Sequence, residues 1–513
     1  MATDLSGFGA GVPDKQRLAA QRAARPVARP GTPGAAANAP LTPGRFLRDP
    51  LAVSLTGAWV VPPAVLVASL SRHMDLWLGV LLLIGLVAAA VLTGFRTFAH
   101  VFMFAAVIRP LLDLTAGERD GGGVSATELF GIAILGAMSV WLWLNRDDLV
   151  RRLWFSLPLA LISLVLCWVL AAAGSMAPVS GAVAALRVAT GVAAYLVVDL
   201  LLVTHRMTLR QVVGLVVTTS IVPLAYPLLG LAGVTVTHVK DDVTALKSVF
   251  YLSNQFAFFL VPLAILGTSW ALWTRGRTRL LASAWTIVVL VELMLSQTRG
   301  AWAAAALGMF IVATVYDRRY ALVAMVGGVL VAVFVPEVNA RLLDLIPDPD
   351  DPRTQSSLAW RFDQWASLLP DLRTSPVLGG GPDFSLLHTG KEPHNDYLKA
   401  LIETGVLGLV LYLWVVGSMA YVAWSALTRS LERYDRLTAG AVAGGGSHTA
   451  RGHGPSVMLP ATCAAIAGYV TSMALASFGD NLIDNVTYLW STLPLLAMAQ
   501  RVRTAGPDED LDL

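Results

Sequence analysis

His394 and three arginines, Arg299, Arg361 and Arg187, are the residues through which this chain could do chemistry. His394 follows Pro393 at the mouth of an apolar run that begins near Leu398. An imidazole at such a boundary is wet enough to titrate, and its ordinary pKa of about 6.5 suits a general base near neutral pH. That fits a reaction in which a hydroxyl loses its proton as it attacks; a capping or interfacial histidine fits the same position. Arginine stays charged and makes paired hydrogen bonds to phosphate oxygens, so it can hold a phosphate leaving group. Arg299 lies in Ser296–Gln297–Thr298–Arg299–Gly300, a tight turn between two apolar runs, where snorkelling to the interface is the alternative role. Arg361 lies one turn before Trp365, where an ordinary surface charge is the alternative. Arg187 lies inside an apolar run, with Asp199 further along it. An ion inside a membrane needs a partner or a wet cavity, and Asp199 or Glu292 is the partner the sequence offers, in a structural ion pair.

Asp480, Asn481, Asp484 and Asn485 form a polar turn that could bind sugar hydroxyls, orient a catalytic group or simply be solvated. The acidic run Asp348–Asp351 reads as solvated, and no metal site is expected. The chain has no phosphate-binding Walker pattern, no Cys/His zinc spacing and no dinucleotide-type glycine pattern, so no cofactor is expected either.

The elements that must position these residues are membrane helices. Hydrophobic residues make up 56% of the 513 and charged residues 14%, against roughly 25% charged in soluble domains. The charges gather in short clusters between apolar runs of the length, about 20 residues, that spans a bilayer core. The runs predict an all-α polytopic bundle of about 12–14 spans, near 51–70, 76–93, 98–114, 126–144, 153–173, 181–203, 210–231, 252–273, 280–297, 300–315, 320–336, 398–424, 457–478 and 482–500. Three are less regular: the third is interrupted by Arg109-Pro110, the pair over 280–315 forms a tight hairpin, and the last is short. Cys167 and Cys463 fall inside spans, which leaves no disulfide framework.

Arginine clusters at Arg146/Arg151/Arg152, Arg206/Arg210, Arg275/Arg277/Arg279, Arg318/Arg319, Arg429/Arg433/Arg436 and Arg501/Arg503 share one side if all fourteen spans are real. The positive-inside rule makes that side cytoplasmic, together with both termini. Residues 1–50 then read as a disordered basic cytoplasmic tail without a cleavable signal, and 51–336 as a transmembrane bundle. Residues 337–397 form one large extracytoplasmic loop containing short helices. Residues 398–503 are C-terminal spans joined by a cytoplasmic linker, 425–456, and 504–513 are an acidic tail. Within the loop, Leu358, Phe362, Trp365 and Leu369 recur at helical spacing, the pattern of a helix lying on the outer interface. Gly379-Gly380-Gly381-Pro382 then forces a turn before His394.

Pro376–Val377–Leu378–Gly379–Gly380–Gly381, then His394–Asn395–Asp396–Tyr397–Leu398, then Glu403–Thr404–Gly405–Val406–Leu407–Gly408 resemble, in this order, the signature of the O-antigen ligase and polymerase superfamily. The Ser296–Gly300 turn is similar to that family's Ser-x-Ser-Arg-Gly, with Thr298 in place of the second serine. Arg361 with Trp365 resembles its Arg-x-x-x-Trp pair, and Asn254 its asparagine ahead of an apolar helix. The motifs cover about 160 residues, from near 254 to 415. Two features depart from the family: only Lys240 and Lys247 stand where an outward-loop arginine is usual, and more spans precede the large loop.

The resemblance implies a metal-independent, inverting glycosyltransferase in the cytoplasmic membrane, with its site on the outer face. His394 would activate an acceptor hydroxyl, and Arg299 and Arg361 would hold the phosphates of a polyprenyl-(di)phosphate-linked glycan. Lys247 would substitute for the missing arginine. Lys240, Asn254, Asn395, Tyr397, Trp365, Arg187, Asp480 and Asp484 are the further candidates for substrate binding. The implied partners are that donor, a glycan, lipid or protein acceptor, and membrane lipids, with no nucleic acid. A repeat-unit polymerase of the same superfamily is an alternative within this class. A polytopic transporter or flippase of lipid-linked sugar is the alternative outside it, although no inverted repeat is visible.

Overall fold

The computed structural model describes residues 98–112, 126–240, 243–336, 338–339, 359–443, 456–483, 485–506, 509 and 511. Contacts divide the chain into Met1–Arg48 and Asp49–Leu513, and all described residues belong to the second unit. The predicted spans near 51–70 and 76–93, the acidic run Asp348–Asp351, Leu358 and Asp484 lie outside the described residues.

The fold is an all-α helical bundle. Its helices are α1 (Phe98–Leu112), α2 (Ala126–Leu144), the short α3 (Arg146–Arg152), α4 (Ser156–Ala173), α5 (Pro178–Val203), α6 (Leu209–Ala225), α7 (Ser253–Trp273), α8 (Gly276–Leu295), α9 (Arg299–Tyr316), α10 (Arg318–Phe334), α11 (Ala359–Leu368), α12 (Phe384–Thr389), α13 (Asp396–Ala443), α14 (Met458–Ala476) and α15 (Val486–Thr504). Among the described residues, eight helical stretches are long and apolar enough to cross a membrane, which makes this a multi-pass membrane protein. Lipid offers backbone groups no hydrogen-bond partners, so each apolar run closes its own bonds as a helix. α1 continues through Pro110 to Leu112, so the expected Arg109-Pro110 break does not end it.

Two features were not anticipated. A two-stranded antiparallel hairpin, β1 (Thr237–Lys240) and β2 (Val243–Leu246), occupies the connection between α6 and α7. α13 runs on past residue 424, so the first part of the 425–456 connection is helical as far as Ala443. A straight 48-residue helix would measure about 72 Å, well beyond a bilayer core of about 30 Å.

α7 is the axis of the bundle, packed against α8, α9 and α14 and buried on all sides from Phe256 to Leu266. A helix apolar all round belongs in such a centre. α13 packs on α4, α14 and α15, and α5 packs on α4 and α15. α10 contacts mainly α9 and exposes Leu322, Val323, Met325, Val329 and Phe334, the surface expected of a lipid-facing helix. α9 and α14 approach until a Cβ on Gly468 would lie 2.7 Å from the Gly308 carbonyl oxygen, the small-residue packing typical of membrane helices.

Several of the basic clusters meet at one end. Arg206 donates to the Asn145 side chain at 3.3 Å, Arg501 and Arg433 both reach Glu509, and Arg429 bonds the Arg503 carbonyl. Next to them Arg152 grips Asp199 with two parallel 2.7 Å hydrogen bonds, both side chains buried. This corrects the expected pairing of Asp199 with Arg187. Those two residues lie twelve positions apart on α5, which separates them by about 18 Å along the axis. Breaking a buried pair from one side strands a charge at a cost of about 3–5 kcal/mol. Arg152→Leu and Asp199→Leu should therefore each destabilise the detergent-solubilised protein by that amount, and the double variant by less than either. Thermal unfolding of the three variants tests this; additive losses would rule out the pairing.

Candidate functional site

At the opposite end from these clusters, four stretches converge. They are the α4–α5 turn, the α8–α9 turn, the loop carrying α11 and α12, and the segment after α14.

The core of the site is a lock between the glycine-rich turn and a broken helix. α13 departs from helical geometry at Gly405, with φ 70° and ψ −170°. That break frees carbonyls before it and N–H groups after it. Gly380 N–H donates to the Ile402 carbonyl at 3.0 Å and Gly381 N–H to the Glu403 carbonyl at 2.9 Å. In return Val406 N–H donates to the Pro376 carbonyl at 2.9 Å and Leu407 N–H to the Val377 carbonyl at 3.3 Å. Orphaned backbone groups inside a membrane protein cost several kcal/mol each, so the two motifs require one another. The lock ties residues 376–381 to the start of α13, where His394 sits.

His394 is held in a left-handed conformation, φ 49°, by bonds on either side of it. Asn395 caps α13, its Oδ1 accepting from Leu398 N–H at 3.0 Å. Asn395 N–H donates to Asn481 Oδ1 at 2.9 Å, and Asn481 Nδ2 to Glu392 Oε2 at 2.5 Å. Glu392 also pairs with the buried Lys399 ammonium at 3.3 Å. Asp396, fully buried, accepts from Leu482 N–H, Ile483 N–H and the Tyr412 hydroxyl at 3.0–3.3 Å. Trp365 donates from Nε1 to the Pro393 carbonyl at 2.7 Å. The His394 imidazole itself places Nδ1 3.5 Å from Asp480 Oδ1, within ion-pair range though not aligned as a hydrogen bond. Nδ1 is thus the ring nitrogen that faces Asp480.

Arg361, on α11, donates from Nη1 to the Gly479 carbonyl at 3.0 Å, while its buried Nε–H has no acceptor. Burial is the main cause that lowers its proton affinity, and the Arg299 charge lowers it further; Asp480 acts the other way. Arg299 is thus within electrostatic reach of Arg361. It occupies the first position of α9, where the helix dipole adds more positive potential. The turn that presents it is fixed by Trp302 Nε1 donating to the Leu293 carbonyl at 2.7 Å and by Gln297 at φ 54°. The two half-buried guanidiniums and the Asp480 carboxylate thus share one charged neighbourhood.

The remaining candidates divide. Asp480 joins the cluster as the neighbour of His394. Trp365, Asn395 and Tyr397 do structural work. Tyr397 donates from its hydroxyl to the Ala474 carbonyl at 2.7 Å and stacks on Phe478 at 4.3 Å. Lys247 is half-buried just past β2, Lys240 ends β1, and Asn254 opens α7. Arg187 is half-buried on α5 and forms an ion pair with neither Asp199 nor Glu292. Its neighbours Val188 and Val192 line an apolar cavity between α4, α5, α13, α14 and α15, whose polar groups include Asp396, Tyr412 and Ser477. The sequence reading missed Glu392, Lys399 and Trp360. A lysine one position inside a predicted span was the available signal for Lys399.

Residues 284–413 match the family model described as O-Antigen ligase. The chain carries an O-antigen ligase domain. No curated protein matches it. The ligase domain takes in Arg299, Arg361 and His394, whereas Asp480, Asn481 and the Gly479 carbonyl that meet them come from beyond its end. An enzyme of the ligase type, with a lipid-linked glycan and an acceptor as partners, is what the family implies in general.

Proposed function

We propose that the protein transfers a glycan from a polyprenyl diphosphate to an acceptor hydroxyl at the outer face of the cytoplasmic membrane, with both termini on the cytoplasmic side. The observation that carries this reading is the gathering of His394, Asp480, Arg361 and Arg299 at one end of the bundle. In the proposed step the acceptor oxygen attacks the anomeric carbon from the face opposite the diphosphate while its proton passes to His394 Nε2. The bond from the anomeric carbon to the phosphate oxygen breaks, and the electron pair leaves with the polyprenyl diphosphate. This single displacement inverts the configuration. Asp480 steadies the imidazolium that forms. Arg299 and Arg361 take up the charge on the leaving group, the role that a metal ion fills elsewhere, with Lys247 as a further cation.

Purified protein, a polyprenyl-diphosphate glycan and candidate acceptors in one vessel provide the test. Release of polyprenyl diphosphate matched by a new glycosidic bond of inverted configuration is the expected result. A second lipid-linked repeat serving as acceptor would mark a polymerase, and a lipid core or protein a ligase. Movement of the lipid-linked sugar across a liposome membrane with no new bond would overturn the reading in favour of a flippase.

A further inference from the structure

α11 presents three faces, and only two are explained by packing. Arg361, Trp365 and Leu368 face the site and its supporting loop, with Leu368 fully buried. Phe362 and Leu369 are exposed apolar residues, 59% and 46% accessible, the surface of a helix that meets an interface. The third face carries Trp360, Asp363, Gln364 and Ser367 at positions i, i+3, i+4 and i+7. Together with Thr389 and Lys391 these four line an open groove of about 370 Å³. That volume lies in the range, about 300–1,000 Å³, of small-molecule sites.

The composition of the groove points to a ligand rather than to packing. Gln364 is 8% exposed, and its Nε2 is used twice, donating to Thr389 Oγ1 at 3.0 Å and to the Lys391 carbonyl at 2.8 Å. These two bonds fix the amide and leave its Oε1 buried with no donor. A buried acceptor without a partner costs about 1–3 kcal/mol, which a ligand hydroxyl or amide N–H would recover. Asp363 is a second, exposed acceptor, and Lys391 a donor on a flexible stem. Between them stands the Trp360 indole. The Lys391 ammonium lies 4.9 Å from its centroid, and the His394 ring meets it edge-on at 5.6 Å.

We propose that this groove is a sugar subsite adjoining the catalytic histidine, an inference that rests on the transferase reading above. A pyranose has what the groove asks for. Its C–H face lies against an indole, its hydroxyls donate to Asp363 and, once the residues covering it yield, to Gln364 Oε1, and its oxygens accept from Lys391 once that ammonium lifts off the ring. A lipid chain would leave the polar groups unmatched, and a diphosphate would be repelled by Asp363. Because Trp360 touches His394, a ring seated here belongs to the sugar next to the bond being made, on the acceptor or on the donor.

The binding test uses the full-length protein in nanodiscs and a panel of lipid-free tetrasaccharides built from mannose, glucose, galactose and N-acetylglucosamine, read by saturation-transfer NMR. At least one should bind the wild type. Its affinity should fall about tenfold or more in Asp363→Asn and in Trp360→Ala, and persist in His394→Ala, which separates the subsite from the reaction. Wild-type affinity in both groove variants, or binding by none of the panel at millimolar concentration, would overturn the subsite while leaving the transferase reading intact. In the transfer assay, Asp363→Asn and Lys391→Met should raise one KM severalfold with kcat within about twofold. A raised acceptor KM assigns the ring to the acceptor, and a raised donor KM to the donor. Neither KM moving would also overturn it. Absence of transfer by the wild type would instead count against the transferase reading, and the NMR result would still decide the subsite.

Discussion

His394→Ala is expected to lower kcat/KM for glycan transfer by about 10²- to 10⁴-fold, the range for losing a positioned general base. Asp480→Asn should lower it by a smaller factor, because Asp480 acts through the imidazole it faces at 3.5 Å. The two changes should not multiply: once His394 is gone there is no imidazolium for Asp480 to stabilise, so the double variant should match His394→Ala. This non-additivity separates a working pair from two surface residues that each disturb folding. The backbone argues that the site survives the substitution, since Asn395, Asp396 and Trp365 hold the segment through bonds that do not involve the imidazole. A fluorescent lipid-diphosphate donor and a release assay give the rates, and size-exclusion profiles of each variant serve as the folding control. Wild-type turnover in His394→Ala would remove His394 from the chemistry. Independent, multiplying losses would remove Asp480 from its partnership.

Much of the bundle was legible because membrane insertion leaves little choice: an apolar run of spanning length must become a helix. The predicted run near 252–273 and the observed Ser253–Trp273 differ by one residue at the start. The β1–β2 hairpin was not legible, since each strand is only four residues long and lies in a polar connection. Side-chain partnerships were harder still. Asp199 looked like a partner for Arg187 because both lie on one apolar run, yet a helix holds them apart and Arg152 arrives instead from α3. In the site, His394, Arg299 and Arg361 stood out through motifs of recognisable spacing. The Asp480 turn was read as able to orient a catalytic group, but which group was not legible, because Asp480 lies 86 positions beyond His394 and meets it only when α14 packs against α13. Trp365 drew attention as an aromatic in a loop helix, but its indole N–H is committed to Pro393, and Trp360, on the groove-lining face, carries the contact with His394. Periodicity in a ten-residue helix indicates a face without showing what that face meets.

Gly405→Ala should dismantle the site without touching any residue proposed to act in it. At φ 70° an alanine is strained by about 1–3 kcal/mol wherever it stands. Here its Cβ would also lie 2.2 Å from the Val377 carbonyl carbon and oxygen, which cannot swing aside as a side-chain tip would. The loop would have to withdraw, breaking the bonds from Gly380, Gly381, Val406 and Leu407 that join the glycine turn to the broken helix. Overpacking adds about 1–3 kcal/mol, and stranded backbone groups add more. Gly390→Ala is the comparison: at φ 71°, ψ 2° it lies in the left-handed helical region, where alanine is less strained than at Gly405, and a Cβ there meets nothing within 4 Å. Hydrogen exchange should therefore show the amides of Gly380, Gly381, Val406 and Leu407 losing protection in Gly405→Ala and keeping it in Gly390→Ala. Transfer activity should fall with that protection, because the same lock carries the loop on which His394 is set. Retained protection in Gly405→Ala would mean that the turn and helix are held by something other than these four bonds.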